Sequence, residues 1–229
     1  MKKIAFLVLV LVSGLAGAQV TEKTPPHINV SGEGKIKVTP DQATITIGVE
    51  NIGNDAADVK KKNDVAIDAV IKYLKSIKLP AEDYQTQRVS LNRNYDYTKK
   101  KYSFTATQTI VINLKDLTKY DAMMMGLVDS GVNTIHGVEF KTSRLAQYES
   151  EARVKAVQVA KQKAIDYGTA LGQKAGKAIV VTDNTQTFYP VMRGMMSLQK
   201  EQSSDMARET LAIGEIEVIA NVTISFELN

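Results

Sequence analysis

The stretch Ile216-Glu217-Val218-Ile219-Ala220-Asn221-Val222-Thr223-Ile224-Ser225-Phe226-Glu227-Leu228 decides how the chain is read. Apolar residues occupy every second position, Ile216, Val218, Ala220, Val222, Ile224, Phe226 and Leu228. Glu215, Glu217, Asn221, Thr223, Ser225 and Glu227 hold the other parity. Successive side chains of a strand point to opposite faces, so this pattern predicts a long strand with one face on a core and one toward water. Such a strand needs partners, and the rest of the sequence supplies them.

At the other end of the chain, Ile28, Val30, Ile36 and Val38 alternate, and Ala43, Ile45, Ile47 and Val49 alternate again after Pro40-Asp41. Two period-two runs across a tight turn predict a β-hairpin, and Gly32 and Gly34 mark a bulge or a point of close packing in its first strand, the bulge being the preferred reading. Asn54 or Asp55 is placed to cap a helix whose face carries Val59, Asn63, Ala66, Ile67, Val70, Ile71, Leu74 and Ile77, stopped by Pro80. A long hairpin follows. Val89, Leu91, Tyr95 and Tyr97 run out to a polar tip at residues 98–101, and Tyr102, Phe104, Ala106, Ile110, Ile112 and Leu114 run back. A second helix starts near Thr118 and buries Tyr120, Met123, Met124, Leu127 and Val128 before Gly131.

A short strand is predicted around Val132, His136, Val138 and Phe140. It leads to an alanine-rich helix from about Arg144 to Leu171, with Leu145, Tyr148, Ala152, Ala156, Val159 and Ala160 inward and Gly172 as its C-terminal stop. Residues 178–181 are a compact apolar strand, and residues 185–210 show no period and read as a long excursion. The order ββαββαβαββ predicts an α+β protein, a largely antiparallel sheet with hairpins and three main helices packed on its faces.

Composition narrows the chemistry. The 229 residues are 44% hydrophobic and 24% charged, with two histidines, no cysteine and no tryptophan. Thiol nucleophiles, disulfides, zinc ribbons and iron–sulfur clusters are excluded. Residues 1–18 begin with Lys2 and Lys3, continue through an apolar run from Ile4 to Val12 and end Ala16-Gly17-Ala18, the layout of a secretory signal peptide cleaved between Ala18 and Gln19. Residues 19–27, with Pro25-Pro26, read as a tether, and residues 28–229 as the folded domain. Loss of Lys2 and Lys3 lowers the formal net charge of +4 by two, which argues against nucleic acid as a partner. The expected location is the periplasm of a Gram-negative cell.

No motif announces catalysis. Gly32-Glu33-Gly34 lies inside a strand pattern rather than leading from a strand into a helix, as a phosphate cradle requires. The stretch from Gly172 to Lys177 follows a helix and has no Ser or Thr after its lysine, so it is no nucleotide loop. His27 and His136 have no nucleophile or ligand set at a telling spacing, and the pairs Glu149/Glu151 and Glu215/Glu217 read as solvated charge. Tyr95, Tyr97 and Tyr102 around Lys99, Lys100 and Lys101 place aromatic rings beside a basic tip. Cross-strand ring pairing explains them, and if the hairpin projects, a subunit or membrane surface is the partner expected. Methionine is the one sulfur present. Met123 and Met124 read as core, while Met192, Met195 and Met196 form a cluster that reads first as an apolar contact between subunits and second as thioethers suited to sacrificial oxidation or Cu(I).

Several stretches together carry a family resemblance. Ser31-Gly32-Glu33-Gly34 with Val38-Thr39-Pro40-Asp41-Gln42-Ala43, Leu114-Lys115-Asp116-Leu117 with Gly131 to Phe140, the helix end Ala170-Leu171-Gly172-Gln173-Lys174-Ala175-Gly176-Lys177, and Gly214-Glu215-Ile216-Glu217-Val218 resemble the SIMPL domain family in the family's order. The resemblance implies an exported protein. Some relatives are linked to defence against oxidative stress, and one group is a periplasmic or outer-membrane-associated antigen that assembles into a large channel-like homo-oligomer. The family has no established catalytic residue, so none is carried over, and residues 188–208 do not follow its pattern. The expectation is a non-enzymatic, cofactor-free periplasmic protein that self-assembles, with peripheral envelope or membrane contact and a role in stress tolerance. The alternative is a methionine-based Cu(I)-binding or oxidant-buffering protein.

Overall fold

Among the described residues the chain forms seven strands, most of them on alternating apolar positions, and three α-helices on helical spacing. In the computed structural model, residues 25–98, 100–185 and 211–229 are described. The order is β1 (His27–Val38), β2 (Gln42–Gly53), α1 (Ala56–Ser76), β3 (Tyr84–Asp96), β4 (Lys101–Leu114), α2 (Tyr120–Asp129), β5 (Thr134–Lys141), α3 (Leu145–Ala170), β6 (Ala175–Asp183) and β7 (Ile216–Leu228). The α+β class and the order ββαββαβαββ hold, and every strand pairing is antiparallel.

The strands form two sheets, ordered β1-β7-β6 and β3-β4-β2-β5. This corrects the first predicted hairpin. β1 pairs along its whole length with β7, Val30 opposite Ile224 and Val38 opposite Ile216, whereas β2 lies between β4 and β5. Thr39-Pro40-Asp41 is therefore a crossing between sheets. Alternation fixes which face of a strand is buried and is silent on which strand it pairs with. The β3–β4 hairpin forms as read, with Tyr95 opposite Tyr102.

Residues 42–141, carrying β2 to β5 with α1 and α2, are thus inserted between β1 and α3. The chain enters and leaves this insertion at one place, because Gln42 lies opposite Lys141. Asp41 pins the neck. Its Oδ1 accepts from Ser143 N at 2.7 Å and its Oδ2 from Ser143 Oγ at 2.5 Å, and Asp41 N donates to Lys141 O at 3.1 Å.

Helix α1 lies over β2 and β4, capped by Asp55, whose Oδ1 accepts from Asp58 N at 2.8 Å. Val59, Asn63, Ile67, Val70 and Leu74 are its buried stripe, and Ile77, expected inward, is exposed beyond its end. Asn63 is buried because its Nδ2 donates to Val49 O at 2.8 Å and Ala106 O at 3.3 Å. In α2, Met123, Met124 and Leu127 are buried as read, but Val128 is exposed.

Helix α3 covers β1 and β7 with a stripe four residues apart, Ala152, Ala156, Ala160, Ala164 and Gly168. Gly32 and Gly34 explain why the stripe is so small. A Cβ on Gly32 would stand 1.9 Å from Ala156 O, and one on Gly34 would stand 2.0 Å from Ala152 O. The register of β1 with β7 runs unbroken through both glycines, so they mark a close helix–strand approach rather than a bulge. Lys155 Nζ and Lys163 Nζ donate to Lys35 O and Ser31 O at 3.1 and 2.8 Å along the same seam. Leu145, expected inward, is exposed, as is the predicted apolar strand now seen as edge strand β6. Gly172 closes α3 at φ 69°, with Gln173 N donating to Gly168 O and Gly172 N to Thr169 O. One continuous apolar cluster joins both sheets and all three helices.

Candidate interaction surface

Strands β3 and β4 outlast the sheet that carries them. The last residue of β2, Gly53, lies opposite Phe104, so the pairs Asn94–Ser103, Tyr95–Tyr102 and Asp96–Lys101 continue without a third strand. At about 3.4 Å per residue the hairpin overhangs by roughly 10 Å before its turn. Asp96 Oδ1 accepts from Thr98 N at 2.9 Å, and Lys100 takes a left-handed φ of 52° to reverse the chain.

The three tyrosines gather on this overhang. Tyr95 and Tyr97 meet edge to face with centroids 5.0 Å apart, Tyr95 and Tyr102 lie 4.8 Å apart, and the Arg93 guanidinium sits 4.5 Å above the Tyr102 ring. Cross-strand ring pairing therefore accounts for their order, as the sequence suggested. It does not bury them, since Tyr95 remains 40% exposed, Tyr102 52% and Tyr97 84%. Behind them on edge strand β3, Val89 and Leu91 are also exposed, because α1 covers β2 and β4 but only grazes β3. The result is an apolar, aromatic strip on a strand edge that is unpaired among the described residues, flanked by Lys100 and Lys101.

Of the other residues singled out in the sequence, Lys99, Met192, Met195 and Met196 lie outside the described residues, as do Ala18 and Gln19 at the predicted cleavage point. Met125 is exposed beside buried Met123 and Met124. His27 Nδ1 lies 3.0 Å from Pro25 O, and His136 is the extra residue of β5 where its register with β2 shifts. Among the described residues no three His, Asp or Glu side chains converge as metal ligands, and no helix is long and apolar enough to cross a membrane.

The perturbed carboxyls belong to turns. Asp41, Asp116 and Asp183 are each held below the usual carboxylate range, first by a side-chain hydrogen bond from Ser143, Thr118 and Thr185 respectively. Burial raises Tyr73 and Tyr120, with smaller contributions from Asp129 and Asp121. Sequence reasoning missed a cleft at the C-terminal end of α1, bordered by the end of β4 and the start of α2. Its lining comes from residues far apart in the chain, and the local signal that could have marked it is the lysine at position 78, just past a helix end where glycine is usual.

Comparison with known proteins agrees along nearly the whole chain. The SIMPL family, described as a protein of unknown function (DUF541), matches residues 28–226. The chain is similar to the uncharacterized protein YggE of Escherichia coli strain K12, 26% identical over 231 residues, covering 99% of this chain and 93% of the relative. YggE of Edwardsiella ictaluri is 25% identical over 193 residues, 82% of this chain and 81% of the relative. A 26 kDa periplasmic immunogenic protein of Brucella melitensis is 23% identical over 225 residues, 93% of this chain and 90% of the relative.

Proposed function

We propose, starting from the fact that the chain belongs to the SIMPL family, that it is an exported, non-enzymatic periplasmic protein that self-assembles through the β3–β4 hairpin and supports tolerance of envelope and oxidative stress. The observation that carries the reading is the overhanging hairpin with Tyr95, Tyr97 and Tyr102 exposed at its end and Val89 and Leu91 exposed along its free edge. An unpaired strand offers a row of backbone donors and acceptors, and an exposed aromatic strip supplies the apolar contact that orients a second copy. Neither feature contributes to the chain's own core. The periplasmic assignment draws on the leader-like residues 1–18 and on the Brucella relative named as periplasmic. The stress role follows the family resemblance.

Light scattering after size exclusion, on protein beginning at Gln19, tests the assembly. The expected result is a mass of several chains, falling to one chain in Tyr97→Ser/Tyr102→Ser, with the circular dichroism of the fold unchanged. A monodisperse monomer for the unsubstituted protein at about 100 μM, tighter than the millimolar range of incidental contact, would remove the proposal.

A further inference from the structure

Helix α1 ends with Leu79 N donating to Leu74 O at 3.1 Å and Lys78 N to Lys75 O at 3.0 Å, the closure that normally places glycine in the left-handed position. Here Lys78 occupies it, at φ 58°. The same closure at the end of α3 uses Gly172 at φ 69°. The end of α2 closes the same way, Val132 N donating to Leu127 O and Gly131 N to Val128 O with Gly131 at φ 109°, so glycine holds two of these three equivalent turns and a strained lysine the third. Strain of this kind at a non-glycine residue points to a use for the side chain.

Lys78 lines a cleft of about 330 Å³ whose walls include Ile77, Leu79, Pro80, Leu114 and Met123. Tyr73 forms its inner side, its ring pressed on Gly126 of α2, where a Cβ would stand 2.1 Å from Tyr73 Cζ, and its hydroxyl donating to Ala122 O at 3.2 Å. The cleft is thereby fixed between two helices rather than open to collapse. Three lysines and two aspartates border it, and four of these charges are matched within the chain. Lys115 Nζ binds the 5%-exposed Asp83 at 2.7 Å, and Lys119 Nζ lies 3.4 Å from Asp116, whose carboxylate also accepts from Thr118. Among the described residues no carboxylate lies within ion-pair distance of Lys78 Nζ. The rim therefore has one positive charge in excess, beside apolar walls.

We propose that this cleft binds a small amphiphile with a single carboxylate and an apolar body, the carboxylate meeting Lys78 and the body lying against Leu79, Leu114 and Met123. At about 30 Å³ of liquid volume per water-sized group, the space suits about ten non-hydrogen atoms. Medium-chain fatty acids and arylalkanoic acids share this chemistry. A neutral amphiphile of the same shape leaves the excess charge unmatched, and a second ligand charge finds no further free lysine on the rim.

The test uses octanoate and its neutral isostere octanamide, followed by the 13C-methyl signals of methionine-labelled protein. Met123 lines the cleft, whereas exposed Met125 does not. Octanoate shifts the Met123 signal saturably with Kd at about 1 mM or tighter, and octanamide binds about threefold more weakly, the value of one exposed charge contact. Phenylpropanoate against phenylpropanamide shows whether the aryl body is accepted with the same preference. Lys78→Gly relieves the left-handed strain and raises Tm by about 2 °C, so a loss of binding in that variant is not a loss of fold. In Lys78→Gly the two octanoyl ligands bind alike, and Lys78→Arg keeps the preference for octanoate. The proposal is overturned if Met123 does not respond to octanoate at about 10 mM, an order weaker than expected. Equal binding of octanoate and octanamide by the unsubstituted protein overturns it too, as does a preference that survives in Lys78→Gly.

Discussion

Replacing Gly34 with alanine introduces one methyl group at the tightest seam of the molecule. The new Cβ would lie 2.0 Å from Ala152 O and 2.7 Å from Ala156 N, where ordinary contact begins at 3.4 Å. Both opposing atoms are backbone in the middle of α3, so no side-chain rotation clears the space. Relief requires the helix to move by on the order of 1 Å away from β1, and that movement loosens the whole alanine stripe from β1 and β7. Overpacking alone costs about 1–3 kcal/mol, and the loosened contacts place the total near about 3 kcal/mol. For a chain of this size that corresponds to a fall in Tm of about 6–12 °C. Urea unfolding followed by circular dichroism measures it. Gly137→Ala is the control, since nothing lies within 4 Å of its added Cβ, and its effect stays within about 0.5 kcal/mol. Gly32→Ala/Gly34→Ala costs less than the sum of its parts, because a helix displaced by one methyl has already made room for the other. A loss below about 1 kcal/mol for Gly34→Ala would refute the reasoning, since a backbone contact that can relax so cheaply does not set the helix's distance.

Two further substitutions test the inserted unit and its neck. Asn63→Leu removes the donor to Val49 O and Ala106 O and lowers stability by about 2 kcal/mol in urea unfolding; a change under about 0.5 kcal/mol would mean that those carbonyls do not depend on it. Asp41→Asn weakens the bonds from Ser143 and costs about 1 kcal/mol near neutrality. Ser143 holds the Asp41 carboxyl below its ordinary value in the folded chain, so this stabilisation is present above the unfolded value of about 3.9 and is lost as pH falls through the lower folded value. The gap between Asp41→Asn and the unsubstituted protein should therefore close below about pH 4, and a gap that persists there would assign the effect to something other than the charged carboxylate.

The sequence disclosed what local periodicity can carry. The alternation from Ile216 to Phe226 named the central strand and its buried face, and Asp55 with the stripe from Val59 to Leu74 placed α1 almost to its ends. Partners were less legible. Pro40-Asp41 has the look of a tight turn, yet it carries the chain from one sheet to another, because pairing depends on strands nearly the whole chain away. Gly32 and Gly34 were visible, but their reason lies on α3. The inward face of α3 was misread at Leu145 because a helix seated on a glycine-bearing strand admits alanine there, while Val154 and Val157 point outward. At the candidate surface the tyrosines and lysines were legible from composition, and the overhang that exposes them was not, since it depends on where β2 stops. The cleft at Lys78 combines a backbone angle with residues from α1, β4 and α2, and no single window of sequence contains them.

The pairing of β1 with β7 also dictates an order of events during folding. Ser31 and Thr223 share a hydrogen bond across 192 positions, and among the described residues β7 is the one strand beside β1. Whatever else forms first, β1 waits for β7, while the inserted residues 42–141 already possess both ends of their own sheet. Closing so long a loop is slow, and contacts of high sequence separation form late. The amphipathic strand β1, with Ile28, Val30, Ile36 and Val38, is thus the segment exposed longest before the native state closes. A holding chaperone that recognises short extended apolar stretches would find its substrate there, and the rate of β1–β7 closure, more than the final stability, sets how much of the chain reaches the native state.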